Sequence, residues 1–224
     1  MIVAGYTNNE RTDLMKIYDI SLPLDEGTVP WPGDAAFLKT TSLRIAEGAS
    51  VNLSSFSTSS HNGTHADAPF HYDSVGETMD RLPLEIFLGP ALLAEIATDR
   101  EISVSALQSL DFTDTPRLLL RTAPGRDRTR FPNRIATLSV EAVEWLAARG
   151  VRLIGVDIPS VDAVDSKALP IHHAIGRAGI HIIENLQLDG VPLGRYELIA
   201  LPLKITGGDG SPIRAVLRST EVTS

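Results

Sequence analysis

The stretch that most constrains this chain is His61-Asn62-Gly63-Thr64-His65-Ala66-Asp67-Ala68-Pro69-Phe70-His71, which gathers three of its six histidines around one aspartate. Gly63 and Pro69 exclude a regular helix here. In extended backbone, residues 61, 65, 67 and 71 share one parity and face one way. Drawn straight, the outer pair would lie roughly 33 Å apart. One ion cannot hold both ends, so the chain must bend, and Gly63 and Pro69 permit it. His65 and Asp67 can converge with little bending, and His61 joins them by folding back at Asn62-Gly63. Imidazole and carboxylate are natural ligands of zinc and manganese. A cluster this dense outweighs the alternative of a polar loop carrying unrelated histidines.

Further ligands are expected elsewhere. His172 follows Pro170 near the start of a short helix. Glu184 ends the apolar run Ile180–Ile183, at a strand terminus where sites gather in α/β folds. Taken alone, His172 reads better as an exposed helix residue and Glu184 as a solvated strand terminus. His173 is turned about 100° from His172 on a helix, and His181 has the opposite parity to Glu184 on a strand, so both are read as non-ligands. There is no cysteine, which excludes disulfides, thiolate metal sites and a cysteine nucleophile. No G-x-S-x-G elbow, P-loop or G-x-G-x-x-G occurs.

The formal net charge of −8 argues against a nucleic-acid partner. The one basic run, Arg126-Asp127-Arg128-Thr129-Arg130, is interrupted by an acid and reads as a solvated loop. No apolar run is long enough to cross a bilayer, and residues 1–15 lack the pattern of a signal peptide. These residues read as an N-terminal extension, with one hydrolase domain from residue 16 to 224. A cysteine-free chain with these features is expected in the cytoplasm.

The clearest structural unit runs from Ser139 to Asp157: a capping serine, a helix with Val140, Val143, Leu146 and Ala147 on one side, Gly150 as its stop, then a strand. Strands are also expected at 17–24, 36–44, 51–59, 91–97, 118–121, 179–183, 196–203 and 213–217. Short helices are expected from Ser103 to Leu110 and from about Ile171, with Gly89-Pro90 as a stop and 207–212 as a tight loop. The fold class is α/β, a single compact domain with more strand than helix.

The histidine motif resembles the signature of the metal-dependent cyclase-like hydrolases and, within them, the bacterial kynurenine formamidases or arylformamidases. Tyr18-Asp-Ile-Ser21, Val29-Pro-Trp-Pro-Gly-Asp34, Gly155-Val-Asp-Ile-Pro-Ser160, Ser166-Lys-Ala-Leu169 with His172, and Ile183-Glu-Asn-Leu186 extend the likeness. Tyr18 departs from it, standing where tryptophan is expected. The resemblance implies a β/β/α-layered fold, a homodimer, and two zinc ions per subunit, with manganese as an alternative. It implies that His61, His65 and Asp67 hold the first ion, that Asp67 bridges to a second held by His172, and that Glu184 contributes. His71 is then the catalytic acid/base and Trp31 a substrate contact. The implied reaction is attack of metal-bound hydroxide on N-formyl-L-kynurenine, giving L-kynurenine and formate. The rival readings are a family member opening a cyclic amide or ester, as an isatin hydrolase does, and a metal-binding protein without catalysis. Glu184 favours the formamidase, since an amide side chain is expected there in the isatin enzymes.

Overall fold

The computed structural model of the protein describes residues 15–220, so all but Met15 of the expected N-terminal extension lies outside the described residues. In chain order the strands are β1 (Ile17–Asp19), β2 (Leu38–Leu43), β3 (Leu53–Ser57), β4 (His65–Asp67), β5 (Leu88–Glu95), β6 (Glu101–Ile102), β7 (Arg117–Arg121), β8 (Thr137–Leu138), β9 (Leu153–Val156), β10 (His181–Glu184), β11 (Gly194–Ile199), β12 (Gly210–Pro212) and β13 (Val216–Ser219). The helices are α1 (Val104–Leu107), α2 (Val140–Ala147) and α3 (Pro170–Arg177). Nine strands form one curled mixed sheet in the order β1-β13-β11-β5-β7-β9-β10-β4-β12. Its centre, β5-β7-β9-β10, is parallel, and both wings are antiparallel.

Side-chain alternation along the central strands divides the core in two. Leu118, Leu120, Ile154, Val156 and Ile182 pack beneath the helices with Val143, Leu146, Ile171 and Ile175. Leu119, Leu153 and Ile183 point the other way, into the curl, and meet Phe87, Leu198 and Leu217. Both faces being covered explains why β7 and β9 read as unbroken apolar runs. Helix α2 forms as expected: Ser139 Oγ accepts the Ala142 N–H at 3.1 Å, a cap worth ~1 kcal/mol, and Gly150 closes the helix at φ 82°.

Several local expectations need correction. The strand expected over residues 17–24 stops at Asp19, continuing only as an isolated bridge between Ser21 and Leu186. Helix α1 spans only Val104–Leu107, short of Leu110, and Ser103 Oγ pairs with Ser105 Oγ and does not cap it. Gly89-Pro90 is no stop but lies inside β5, whose pairing with β7 starts only at Ala91; proline is tolerated where the ladder is incomplete. The loop 207–212 contains β12, an edge strand on β4.

Candidate metal centre

Strand β4 is where the histidine motif becomes a site. It runs antiparallel between β10 and β12, and its register sets His65 opposite Glu184. Ala66, of opposite parity, enters the core within the curl. His65, Asp67 and Glu184 therefore share the helix-side face, at the end of the parallel strands. Helix α3 brings His172 to the same place, anchored by buried Ile171 and Ile175. Upstream, the chain turns back at Gly63, whose φ of 67° suits glycine, and returns His61. Downstream, a single 3-10 turn over Pro69–His71 carries His71. The bend expected at Gly63 and Pro69 is present.

The donor atoms converge on Asp67. Its Oδ1 lies 2.9 Å from His61 Nδ1 and 3.3 Å from His65 Nε2, and its Oδ2 lies 3.6 Å from His172 Nε2. The Glu184 carboxylate lies 3.4 Å from His65 Nε2 and 3.8 Å from His172 Nε2. His65, Asp67, His172 and Glu184 are all buried. His65 Nε2 and Asp67 Oδ2 have no hydrogen-bond partner within usual geometry. A buried, unpaired donor set of imidazoles and carboxylates costs several kcal/mol unless something cationic completes it. These residues fit divalent metal ions held on nitrogen and oxygen.

Second contacts orient the rings. His65 Nδ1–H donates to Gly63 O at 3.0 Å, and His172 Nδ1–H donates to Asp162 Oδ2 at 2.7 Å, which leaves both Nε2 atoms turned toward the carboxylates. Asp162 also accepts the N–H groups of Ile171 and His172, so it caps α3 from outside the helix. Asp209, in the turn before β12, lies 3.2 Å from His61 Nε2 and 4.0 Å from His71 Nδ1, and accepts from Ser60 Oγ at 2.8 Å. Gly210 is required there, since a Cβ would sit 2.7 Å from the His61 ring.

The field of the two carboxylates favours positive charge. Burial opposes protonation of His65, but its bonds to Asp67 and Glu184 prevail and raise it to about 10. His172 is raised to about 10 against the same burial, by Asp162 and Asp67. Burial pushes the Glu184 carboxyl up, as does the charge of Asp67. His71 differs: its side chain is 33% exposed, and burial holds it below the ordinary imidazole value. It can therefore be neutral, and a proton acceptor, at pH 7.

The centre opens into a cavity of about 310 Å³ walled by Val29, Trp31, His71, Pro159 and Leu169. Trp31 both lines it and packs edge-on against Phe131, with ring centroids 5.0 Å apart. Leu169, at the start of α3, holds φ 45°, an unfavourable conformation for a bulky residue. All seven residues singled out in the sequence, His61, His65, Asp67, His71, His172, Glu184 and Trp31, thus lie around one cavity or its floor. His173 is exposed on α3, and His181 packs beside Phe87. Sequence reasoning missed Asp162 and Asp209; only the Asp-Gly pair at 209–210 offered a signal, and it reads as a turn. It also misplaced Arg126 and Arg128. These are not solvated: both are half-buried, and Arg128 Nη2 donates to Leu186 O at 3.0 Å.

A curled α/β sheet with a buried His/Asp/Glu cluster beneath a mid-sized cavity defines a metal-dependent hydrolase. Residues 18–163 match the family described as "Putative cyclase", and the chain belongs to that family. It is 46% identical over 200 residues to the kynurenine formamidase of Geobacillus thermodenitrificans, covering 89% of this chain and 96% of that one. A solved structure described as a potential metal-dependent hydrolase with cyclase activity superposes with a TM-score of 0.79 at 30% identity, covering 93% of this chain and all of the other. Isatin hydrolase A from Ralstonia solanacearum superposes with a TM-score of 0.76 at 26% identity, covering 91% and 92%.

Proposed function

We propose that this protein hydrolyses N-formyl-L-kynurenine to L-kynurenine and formate, with two zinc ions per subunit. The observation that carries the reading is one cavity floored by buried imidazoles and carboxylates, with His65 Nε2 and Asp67 Oδ2 lacking hydrogen-bond partners, and edged by the partly exposed His71, which we assign as acid/base and not as a ligand. The likeness to kynurenine formamidase over most of the chain supports the substrate. His61, His65 and Asp67 would hold one ion; Asp67, with His172 and Glu184, would hold the other. When bound, such ions lower the pKa of water and polarise a carbonyl oxygen.

The residues of the chain do the rest. His71 takes the proton from the attacking water as it adds to the formyl carbon. The C–N bond then breaks as His71 returns the proton to the aniline nitrogen, which leaves as neutral amine; the formic acid formed keeps the water oxygen and releases its remaining acidic proton to solvent as formate. Asp209 faces His71 and steadies the imidazolium formed in between. Trp31, braced by Phe131, offers a face for the substrate's aromatic ring. Val29, Pro159 and Leu169 exclude bulk water from the reacting atoms.

The working unit is a homodimer. The ribbon of β2 and β3 supports this, since it leaves Leu38, Leu43, Leu53 and Phe56 exposed on an otherwise unpaired hairpin. The deciding experiment couples metal analysis to an assay of N-formyl-L-kynurenine loss beside isatin. The expected result is zinc, or manganese in its place, at two ions per chain, with formamide hydrolysis that a chelator abolishes and added metal restores. Full activity in the metal-free protein, or turnover of isatin alone, would overturn the reading.

A further inference from the structure

Beside the metal centre lies a second cavity of about 450 Å³, which shares Val29, Pro159 and Asn185 with the first. Its walls carry three arginines, Arg126, Arg128 and Arg130, against a single carboxylate, Asp25. None of the metal-centre imidazoles or carboxylates lines it. Arg126 and Arg128 form no ion pair among the described residues, and the Nε of each is buried without a hydrogen-bond partner. Arg128 is committed to the fold, since its two Nη atoms donate to Leu186 O and Asp157 O. Arg126 is not: among the described residues its only side-chain bond is a long one, from Nη2 to Asn185 Oδ1 at 3.4 Å. Burial pulls its guanidinium below the ordinary value, and the charge of Arg128 does so further, yet arginine stays protonated. A half-buried, under-bonded guanidinium facing a cavity is a site awaiting a carboxylate, the planar partner its fork fits in two parallel bonds.

The two cavities meet at Asn185, the residue after Glu184, which holds φ 55° and donates its N–H to Ile158 O. This turn brings the metal donors and the Arg126 partner together on one short segment. A substrate with its formamide at the metal centre and its aromatic ring along Trp31 must direct its ortho substituent to one side. In N-formyl-L-kynurenine that substituent ends in an α-amino acid. We propose that the second cavity receives the α-carboxylate of this substrate and that Arg126 grips it, while Arg128 and Arg130 supply further positive charge; the assignment rests on the formamidase reading above. Arg126 thereby selects formamides that carry an anionic tail over simple aryl formamides.

The test compares N-formyl-L-kynurenine with its decarboxylated analogue, which keeps the formamide, ketone and ammonium groups but lacks the carboxylate. The metal-loaded full chain should prefer the parent by about tenfold to a hundredfold in kcat/KM, as expected for a charged hydrogen-bonded pair. R126Q should erase most of that preference, chiefly by raising KM for the parent, and R126K should recover part of it. Equal losses on both substrates would overturn the proposal, because Arg126 would then act on the whole site through Asn185. An unaltered chain that hydrolyses the parent with no preference over the analogue would overturn it without recourse to any variant, and would leave the formamidase reading intact. If neither formamide is hydrolysed by the metal-loaded chain, that reading falls and the carboxylate assignment falls with it.

Discussion

At the scale of single residues, six side chains around one cavity divide into those held by neighbours and the one left free. His65 has its Nδ1 tied to Gly63 O and its Nε2 unpaired, whereas His71 makes no side-chain hydrogen bond among the described residues: its ring lies against that of His61, with centroids 3.9 Å apart, and Asp209 is 4.0 Å away. Replacing His71 by alanine is therefore expected to lower kcat about a hundredfold or more while metal content stays near that of the parent, measured by elemental analysis on the assayed sample. His65→Ala should lose metal and activity together. Loss of metal in the His71 variant would make it a ligand and end its assignment as proton carrier. A second histidine matters for stability. Burial, and then the charge of Arg152, depress His181 from 6.5 to about 4. Its folded form thus resists a proton that the unfolded chain accepts below about 6.5. The unfolded state binds more protons between those values, so stability falls as pH drops from about 6.5 to about 4. His181→Leu should flatten that part of the curve, by an amount on the order of 3 kcal/mol at most, in urea unfolding at a series of pH values. An unchanged slope would show that other groups carry the acid sensitivity.

Among the elements, the short ones decide geometry. Helix α3 has no capping side chain of its own, since Leu169 occupies that position. Asp162 substitutes by accepting two backbone N–H groups and the His172 ring together. Asp162→Ala should therefore weaken metal affinity by about 10- to 100-fold and cost ~1 kcal/mol or more of stability, followed by metal titration and thermal melting. A variant that loses stability but keeps its affinity would reduce Asp162 to a cap. The turn that carries His71 is held just as closely. A Cβ on Gly76 would lie 2.5 Å from the Pro69 carbonyl carbon, and neither backbone can yield without moving the other. Gly76→Ala should shift the Pro69–His71 turn and depress kcat, with bound metal retained.

For the whole molecule, the sheet brings like charges together and leaves a ribbon uncovered. Asp67 and Glu184 are buried side by side, so removing the ions exposes their mutual repulsion. Chelation should lower the melting temperature by several degrees, and zinc should restore it as its concentration rises. A melting curve indifferent to chelator would mean that the cluster is neutralised by protons alone. The ribbon β2–β3 carries Phe56 stacked on Phe37, with centroids 5.7 Å apart and Phe56 65% exposed. If the proposed dimer forms through this ribbon, Phe56→Asp is expected to shift it to monomer in light scattering, because burying the ring against a second copy removes apolar surface from water.

The amino-acid order alone determined what local physics can determine. The spacing of His61, His65, Asp67 and His71, the bends at Gly63 and Pro69, and the helix between Ser139 and Gly150 were legible because each depends on neighbours a few residues away. Only tertiary structure decided which carboxylate faces His65, that Asp162 and Asp209 orient the rings, that residues 210–212 form a strand, and that Arg126 turns inward. Those facts depend on strand register and loop packing between distant segments. A repeating local pattern reports which face a side chain occupies, but not what lies opposite that face once the sheet curls.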